Sequence, residues 1–395
     1  MNQENKTYPC PVCGSRDVRD FVKIKDVPVH CNLLWPDREE ALAAPTGNIV
    51  LVSCTNCGHI FNRAFDAALT EYTQAYENSL DFSPRFQDYA ATLASGLVER
   101  HGLRGCRLVE IGSGQGRFLR LMCDIGDNQG VGFDEAYVPS VQDEQDDRLT
   151  FIAEFAWHEH IQEAPDMIYA RHVLEHIEKP ADFIAVIREV IGEAGNTLLF
   201  LEMPNAAYML RELAIWDILY EHCGYYSPQS ISCLLTRGGF KAPATDAVFG
   251  GQFLTAETKP AARASVAGCA SRDELEEMSA QVDAFAGEFT SKIEEWRRRL
   301  AGWYGEGKRI AAWGAGTKGV MFLNFVQAGE QIPYIVDINP RKSGMYIVGT
   351  GQQIVPPEFL TDFQPEIVIL MNAIYRDEIA SMLQELGVTA EIVVA

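Results

Sequence analysis

Residues 108–116 read Leu108-Val109-Glu110-Ile111-Gly112-Ser113-Gly114-Gln115-Gly116, and Asp134 stands twenty residues beyond Gly114. An apolar run ending in a glycine turn lets backbone approach a ligand without interference from Cβ, and a helix can begin directly afterwards at Arg117. Val131-Gly132-Phe133-Asp134 reads as the next strand with an acid at its end, where a carboxylate can take both hydroxyls of a ribose. The glycines follow a glutamate as G-x-G-x-G, which differs from the G-x-G-x-x-G of a dinucleotide-binding turn.

Strand and helix signals alternate outward from this turn. Strands are expected at 107–111, 130–133, 167–170 and 197–202, with helices between them, which argues for a parallel α/β sheet covered on both faces. The third strand runs into Arg171-His172-Val173-Leu174-Glu175-His176-Ile177, read as the start of the following helix. On a helix His172 and His176 would share a face and could bind metal. The reading adopted instead is that one lines a cofactor pocket and the other supports the helix. A long helix is expected over 271–303, where Leu275, Met278, Val282, Phe285, Phe289, Ile293, Trp296 and Leu300 recur at spacings of three and four. It opens on a capping box, Ser271-Arg272-Asp273-Glu274, and its phenylalanines favour packing on a neighbouring domain over a coiled-coil seam. Beyond it lies a second α/β unit: a strand at 309–313, the turn Gly314-Ala315-Gly316-Thr317-Lys318-Gly319, and Ile335-Val336-Asp337. That second turn reads equally well as a nucleotide site or as a tight bend.

The chain has 395 residues, 47% apolar and 22% charged, which suits a soluble protein of two or three domains. A net charge of −22 argues against nucleic acid as a partner, because no basic stripe offsets it. No apolar run is long enough to span a bilayer and the first residues do not resemble a secretion signal, so a cytoplasmic location is expected. Thiols or metal ligands are then expected in place of disulfides among the ten cysteines. Cys10-Pro11-Val12-Cys13-Gly14 and Cys54-Thr55-Asn56-Cys57-Gly58 are two knuckles that together make a closed Cys₄ site for structural Zn²⁺. Cys31, Cys106, Cys123, Cys223, Cys233 and Cys269 lack metal spacing and read as buried small apolar residues. Three regions follow: a zinc module at 1–65 with a helical piece near 39–44, a central domain at 66–270, and the long helix with the second α/β unit at 271–395.

The central motif resembles motif I of class I S-adenosylmethionine (SAM) methyltransferases. The whole order of parts resembles the three-domain sugar C-methyltransferases, which act on nucleotide-linked deoxy-ketosugars. The resemblance rests on the Cys₄ module, on Glu110-Ile111-Gly112-Ser113-Gly114-Gln115-Gly116, and on a terminal unit carrying Gly314-Ala315-Gly316-Thr317-Lys318-Gly319, Asp337-Ile338-Asn339-Pro340-Arg341-Lys342-Ser343-Gly344 and Pro356-Pro357-Glu358. It implies a class I SAM-methyltransferase core between a zinc module and a C-terminal Rossmann-like domain. SAM would be held by Glu110, Gly112, Ser113, Gly114 and Gly116 on its amino-acid portion and by Asp134 on its ribose. His172 would border the methyl group, and Phe133 would pack near the adenine. The family's H-E-H-x-x-Y segment corresponds to Tyr220-Glu221-His222-Cys223-Gly224-Tyr225, with Tyr220 in place of the first histidine. Its Y-P-Y-x-S segment corresponds to Tyr76-Glu77-Asn78-Ser79, where the second tyrosine has no counterpart.

Methylating carbon needs an enolate, so the resemblance implies His222 as the base, Glu221 as an orienting group, and Tyr225 or Tyr76 as donor to the enolate oxygen. The expected partner is a small molecule, a nucleotide-linked sugar, with neither nucleic acid nor membrane and with a monomer or homodimer as the unit. The alternatives are O- or N-methylation of another small metabolite, or a non-catalytic binding protein.

Overall fold

The computed structural model describes residues 8–395 apart from 71–76, 78, 80, 140–145, 155–156, 193–194 and 263–268. Tyr76 therefore lies outside the described residues. The N-terminal region builds on two knuckles flanking an antiparallel ladder of β1 (Val18–Pro28), β2 (Thr46–Cys54) and β3 (Ile60–Asn62). A short helix, α1 (Arg38–Leu42), is capped by the Asp37 side chain and falls in the helical piece expected near 39–44.

After α2 (Pro84–His101) the central sheet begins with β4 (Arg107–Ile111), α3 (Arg117–Gly126), β5 (Gln129–Phe133), β6 (Leu149–Ile152), β7 (Met167–Arg171), α4 (Pro180–Ile191) and β8 (Leu198–Pro204). These five strands are parallel, and all four strands expected from sequence are among them. The chain continues through α5 (Ala206–Arg211), β9 (Gly224–Tyr225), α6 (Pro228–Arg237), β10 (Ala244–Val248) and β11 (Phe253–Thr258). Strand β11 lies antiparallel on β8, and β10 on β11, giving the order β10-β11-β8-β7-β4-β5-β6. This pair was not legible in the sequence, because β10 is mostly solvent-exposed and lacks an apolar run. Strand β9 does not join this sheet. It pairs with β3, so the N-terminal sheet reads β1-β2-β3-β9 and borrows its last strand from the middle of the chain.

The chain leaves β4 towards β5 on one side and later returns to β7 on the other. The glycine turn after β4 thus sits at the topological switch point, where open parallel sheets bind ligands. This is the class I SAM-methyltransferase architecture expected from the motif. The tract 172–177 departs from its expected form: His172 has φ of +54°, a short 3₁₀ turn covers Leu174–His176, and the helix starts only at Pro180. A left-handed residue breaks helical continuation, so His172 and His176 do not share a helix face.

Helix α7 (Arg272–Gly305) carries both halves of its capping box and buries Met278, Val282, Phe285, Phe289, Trp296 and Leu300. Phe285 meets Phe21 of β1, and Trp296 meets Phe322 of α8 (Thr317–Val326), so the helix packs on the domains either side of it as expected. The terminal sheet is wholly parallel: β12 (Ile310–Trp313), β13 (Tyr334–Val336), β14 (Gln353–Val355), β15 (Ile367–Leu370) and β16 (Glu391–Val394), in the order β14-β13-β12-β15-β16.

Two cysteine expectations need correction. Cys233 of α6 is bonded to Cys269, with Cα atoms 4.5 Å apart, so these two are a disulfide and not free thiols. Their separation of 36 residues carries no pairing signal, and only the fold of α6 against the approach to α7 brings them together. Cys106 is only half-buried. Among the described residues no helix is long and apolar enough to cross a membrane.

Candidate active site

The three motif glycines all have positive φ, +72° at Gly112, +54° at Gly114 and +75° at Gly116, but their surroundings differ. A Cβ on Gly112 would lie 2.2 Å from Val173 Cγ2, and one on Gly116 would lie 2.2 Å from the Phe151 ring. A Cβ on Gly114 would meet nothing within 4 Å. Gly112 and Gly116 are therefore glycines because protein packs against them, and Gly114 is the one that leaves room for a ligand. The Gly112 and Ser113 N–H groups donate to Phe133 O, which ties the turn to β5. The Gly114 N–H donates to Asp134 Oδ2 at 2.7 Å, and the Ala136 N–H to Oδ1 at 2.8 Å. The acid thus stands against the turn, held by two backbone donors. Phe133 itself is wholly buried in the sheet core and offers no surface to an adenine.

Glu110 lies beneath this turn, 3% exposed, with Oε2 buried and unpartnered. Burial, eased only in part by Arg171, pushes its pKa up to about 8. Such a carboxyl is poised to ionise when a cationic group arrives, as the ammonium of an amino-acid ligand would. The buried Ser113 hydroxyl is likewise without a partner.

A second cluster sits at the ends of β7 and β8. Arg171 donates two bonds to Glu202 Oε1, at 2.9 and 3.1 Å, and the Tyr89 hydroxyl donates to Glu202 Oε2. His172 Nε2 lies 3.0 Å from Glu202 Oε1, and its Nδ1 lies 3.4 Å from Glu175 Oε1. Burial opposes all these charges, yet Arg171, His172 and Tyr89 together hold Glu202 down at about 2. Glu175 and Glu202 likewise raise His172, against its own burial, to about 9. His172 is therefore an imidazolium clamped between carboxylates, its ring edge-on to Phe253 at 4.5 Å. Phe253 stacks on Phe249, which meets Tyr89 and, from the terminal domain, Tyr375. This aromatic wall marks the cleft between the central and terminal domains.

The segment 219–226 carries the other candidate residues, and their side chains diverge. His222 is half-buried, edge-on to His176 with ring centroids 4.9 Å apart, and burial followed by the nearby His176 lowers its pKa to about 3. It is a neutral imidazole with Nδ1 buried and unpartnered. Glu221 points the opposite way: its Oε2 accepts from the Cys31 N–H at 2.9 Å, and Oε1 lies 3.6 Å from His30 Nδ1. The Tyr225 hydroxyl donates to Leu219 O at 3.1 Å and accepts from Leu219 N–H at 3.3 Å, 3% exposed. Glu221 and Tyr225 thus hold the segment in place rather than facing a substrate beside His222. Tyr220, in place of a histidine, is 1% exposed and accepts the Asp66 N–H at 2.9 Å. Glu77, next to Tyr76, bonds Arg341 at 2.8 Å and Asn339 at 3.1 Å and so joins this tract to the terminal domain.

Two family models cover most of the chain between them: a methyltransferase domain over residues 79–243 and a C-methyltransferase C-terminal domain over 249–394. The chain thus carries, in this order, the two domains that these models describe. It is similar to the C-methyltransferase NovU of Streptomyces niveus, with 26% identity over 390 residues, 94% of this chain and 90% of that one. Among solved structures it is similar over 46% of its length to a 1,6-didemethyltoxoflavin-N1-methyltransferase of Burkholderia thailandensis with bound S-adenosylhomocysteine (16% identity, 83% of that chain, TM-score 0.36). It is similar over 45% to the CurJ carbon methyltransferase (14% identity, 56% of that chain, TM-score 0.34).

The chain is a SAM-dependent methyltransferase, and it carries a group of four buried cysteines in its N-terminal region. Cys10 and Cys57 Sγ are 3.7 Å apart and Cys13 and Cys54 Sγ 3.6 Å apart. A tetrahedron with Zn–S bonds near 2.3 Å has edges of about 3.8 Å. The two knuckles are closely alike: the Gly14 N–H donates to Cys10 O at 2.8 Å and the Gly58 N–H to Cys54 O at 2.9 Å, both glycines left-handed. The donor set and spacing fit Zn²⁺. Sequence reasoning missed Tyr89, Arg171, Glu175 and Glu202. Arg171 and Glu202 were detectable as charges closing apolar strands, whereas Tyr89 looked like any helix-face aromatic.

Proposed function

We propose that this enzyme transfers a methyl group from SAM to a carbon atom of a nucleotide-linked ketosugar. His222 removes the proton beside the ketone, and the resulting carbanion attacks the methyl carbon in line, forming the new C–C bond as the S–CH₃ bond breaks and S-adenosylhomocysteine leaves. Two arguments support the acceptor: the likeness in sequence motifs to the sugar C-methyltransferases, and 26% identity to a C-methyltransferase along nearly the whole chain. The observation that carries the base is the neutral imidazole of His222, edge-on to His176, with Nδ1 buried and unpartnered. Only an uncharged imidazole can accept a proton.

SAM is taken to bind at the switch point, with Glu110 and Ser113 on its amino-acid portion, Gly114 giving room, and Asp134 on the ribose. His172 borders this site as a fixed cation. The cysteine group Cys10, Cys13, Cys54 and Cys57 is taken to hold structural zinc. The enzyme's own part is then alignment of carbon, methyl and sulfur with water excluded.

The test uses a ketosugar nucleotide in deuterated water. Without SAM, the wild-type enzyme should exchange the proton beside the ketone, and with SAM the product should gain one methyl mass. His222→Ala should lose both, whereas Asp134→Ala should keep exchange and lose transfer. Methylation without any exchange would overturn the enolate reading in favour of an oxygen or nitrogen acceptor. Stripping zinc with a chelator should unfold the N-terminal module cooperatively, seen as a new low-temperature calorimetric transition.

A further inference from the structure

The break at His172 places the following 3₁₀ turn against the segment that enters β9, and three ligating groups meet there. Glu175, His176 and His222 each present one ligand atom, and these atoms lie within 4.8 Å of one another. Two imidazoles and a carboxylate form a donor set suited to divalent transition metals, while harder cations such as Mg²⁺ prefer all-oxygen ligands.

Three details go beyond proximity. Glu175 is 2% exposed and its Oε2 has no hydrogen-bond partner. His222 Nδ1 is also buried and unpartnered, so two of the three residues carry orphaned polar atoms. Leaving such an atom unmet is destabilising, and a bound ion would offset that cost. His176 Nδ1 lies 3.0 Å from the carbonyl oxygen of Glu221. The carbonyl can only accept, so Nδ1 carries the proton and Nε2 the lone pair. Metal-bound histidines are oriented in this way, by a backbone acceptor on the opposite ring nitrogen. Glu175 is anchored in the same manner, its other oxygen facing His172 at 3.4 Å.

We infer that Glu175, His176 and His222 form a second metal site, for a divalent transition-metal ion, distinct from the four-cysteine site. Its consequence for activity rests on the enolate reading. A metal on His222 takes the lone pair at one nitrogen and leaves the other protonated, so the ring can no longer accept a proton. Occupancy of the site and proton abstraction by His222 are then mutually exclusive, and an ion bound here inhibits the enzyme. Three protein ligands also leave a coordination position for water or for a substrate oxygen.

The experiment starts from the full chain with its cysteine site saturated by zinc, titrated with Co²⁺ by calorimetry and visible absorption. One further equivalent should bind, with d–d bands but without a thiolate charge-transfer band. Glu175→Gln and His176→Ala should each weaken that equivalent by about 100-fold or more. Zinc content should be unchanged, and SAM binding serves as the check on folding. No second equivalent, or one indifferent to both substitutions, overturns the site. The exchange assay separates the two readings. If Co²⁺ binds as described but exchange continues, the site stands and His222 is not the base. If His222→Ala abolishes exchange while no second equivalent binds, the base stands and the site falls.

Discussion

The chain contains two glycine turns built to one plan, and they end differently. In the central domain the Gly114 N–H donates to Asp134 Oδ2 and the Ala136 N–H to Oδ1. In the terminal domain the Ala315 N–H donates to Asp337 Oδ2 and the Asn339 N–H to Oδ1, both at 2.8 Å. Each acid closes the second strand of its unit and locks the preceding turn. The terminal turn, however, already has its cation. Lys342, 5% exposed, bonds Ala315 O at 3.0 Å and lies 3.9 Å from Asp337 Oδ2. Lys318 of the same turn is committed to Asp217 and Gln252 across the domain boundary. The central turn has no internal lysine; beneath it is Glu110 with an unmet oxygen. One geometry is left open where the protein supplies no lysine, which suits the proposed SAM site, and is a structural lock where Lys342 supplies one. Of the two meanings the sequence allowed for the terminal turn, this favours the tight bend.

Three substitutions can break that contrast. The largest expected effect is that of Lys342→Met, which removes a buried cation and leaves the half-buried Asp337 without it, and should cost about 3 kcal/mol in denaturant unfolding. SAM affinity should not change; a loss of affinity would show that the terminal turn takes part in cofactor binding. Next comes the matched pair Asp134→Ala and Asp337→Ala, compared by calorimetric titration with SAM. The first should weaken binding by about 100-fold, near 2.7 kcal/mol, and the second by less than about twofold. Equal losses would erase the distinction.

The smallest effect concerns pH. His172 has a pKa raised to about 9 from the ordinary 6.5, so its stabilising contribution is complete below pH 6.5 and lost as pH rises through 9. Glu202, held at about 2, contributes above pH 4.5 and loses that contribution as pH falls towards 2. The melting temperature of the wild type should therefore decline between pH 6.5 and 9 more steeply than that of His172→Gln. Parallel profiles would mean that the histidine is not charged in the folded enzyme.

Features that depend on neighbours in sequence were legible beforehand. The two Cys-x-x-Cys-Gly knuckles, the G-x-G-x-G turn with Asp134 at its spacing, and the capping box at Ser271 all encode local geometry. What escaped was set by distant contacts. The helix expected at His172 does not form there: His172 is left-handed, and its ring lies between Glu202 of β8 and Glu175 of its own tract. The resemblance gave Glu221 and Tyr225 roles beside His222, but neighbours in an irregular segment can point in opposite directions, and these two side chains are bonded to Cys31 N–H and to the Leu219 backbone. Cys233 and Cys269 paired through a packing of elements that no spacing rule anticipates.

Strand β9 follows His222 almost at once and is hydrogen-bonded to β3, only a few residues beyond Cys57. The cysteine group and the proposed base, His222, therefore share one mechanical frame. On the proposed reading, emptying the cysteine site should loosen the segment that carries His222, and trimming the first sixty residues would leave β9 without most of the sheet it joins.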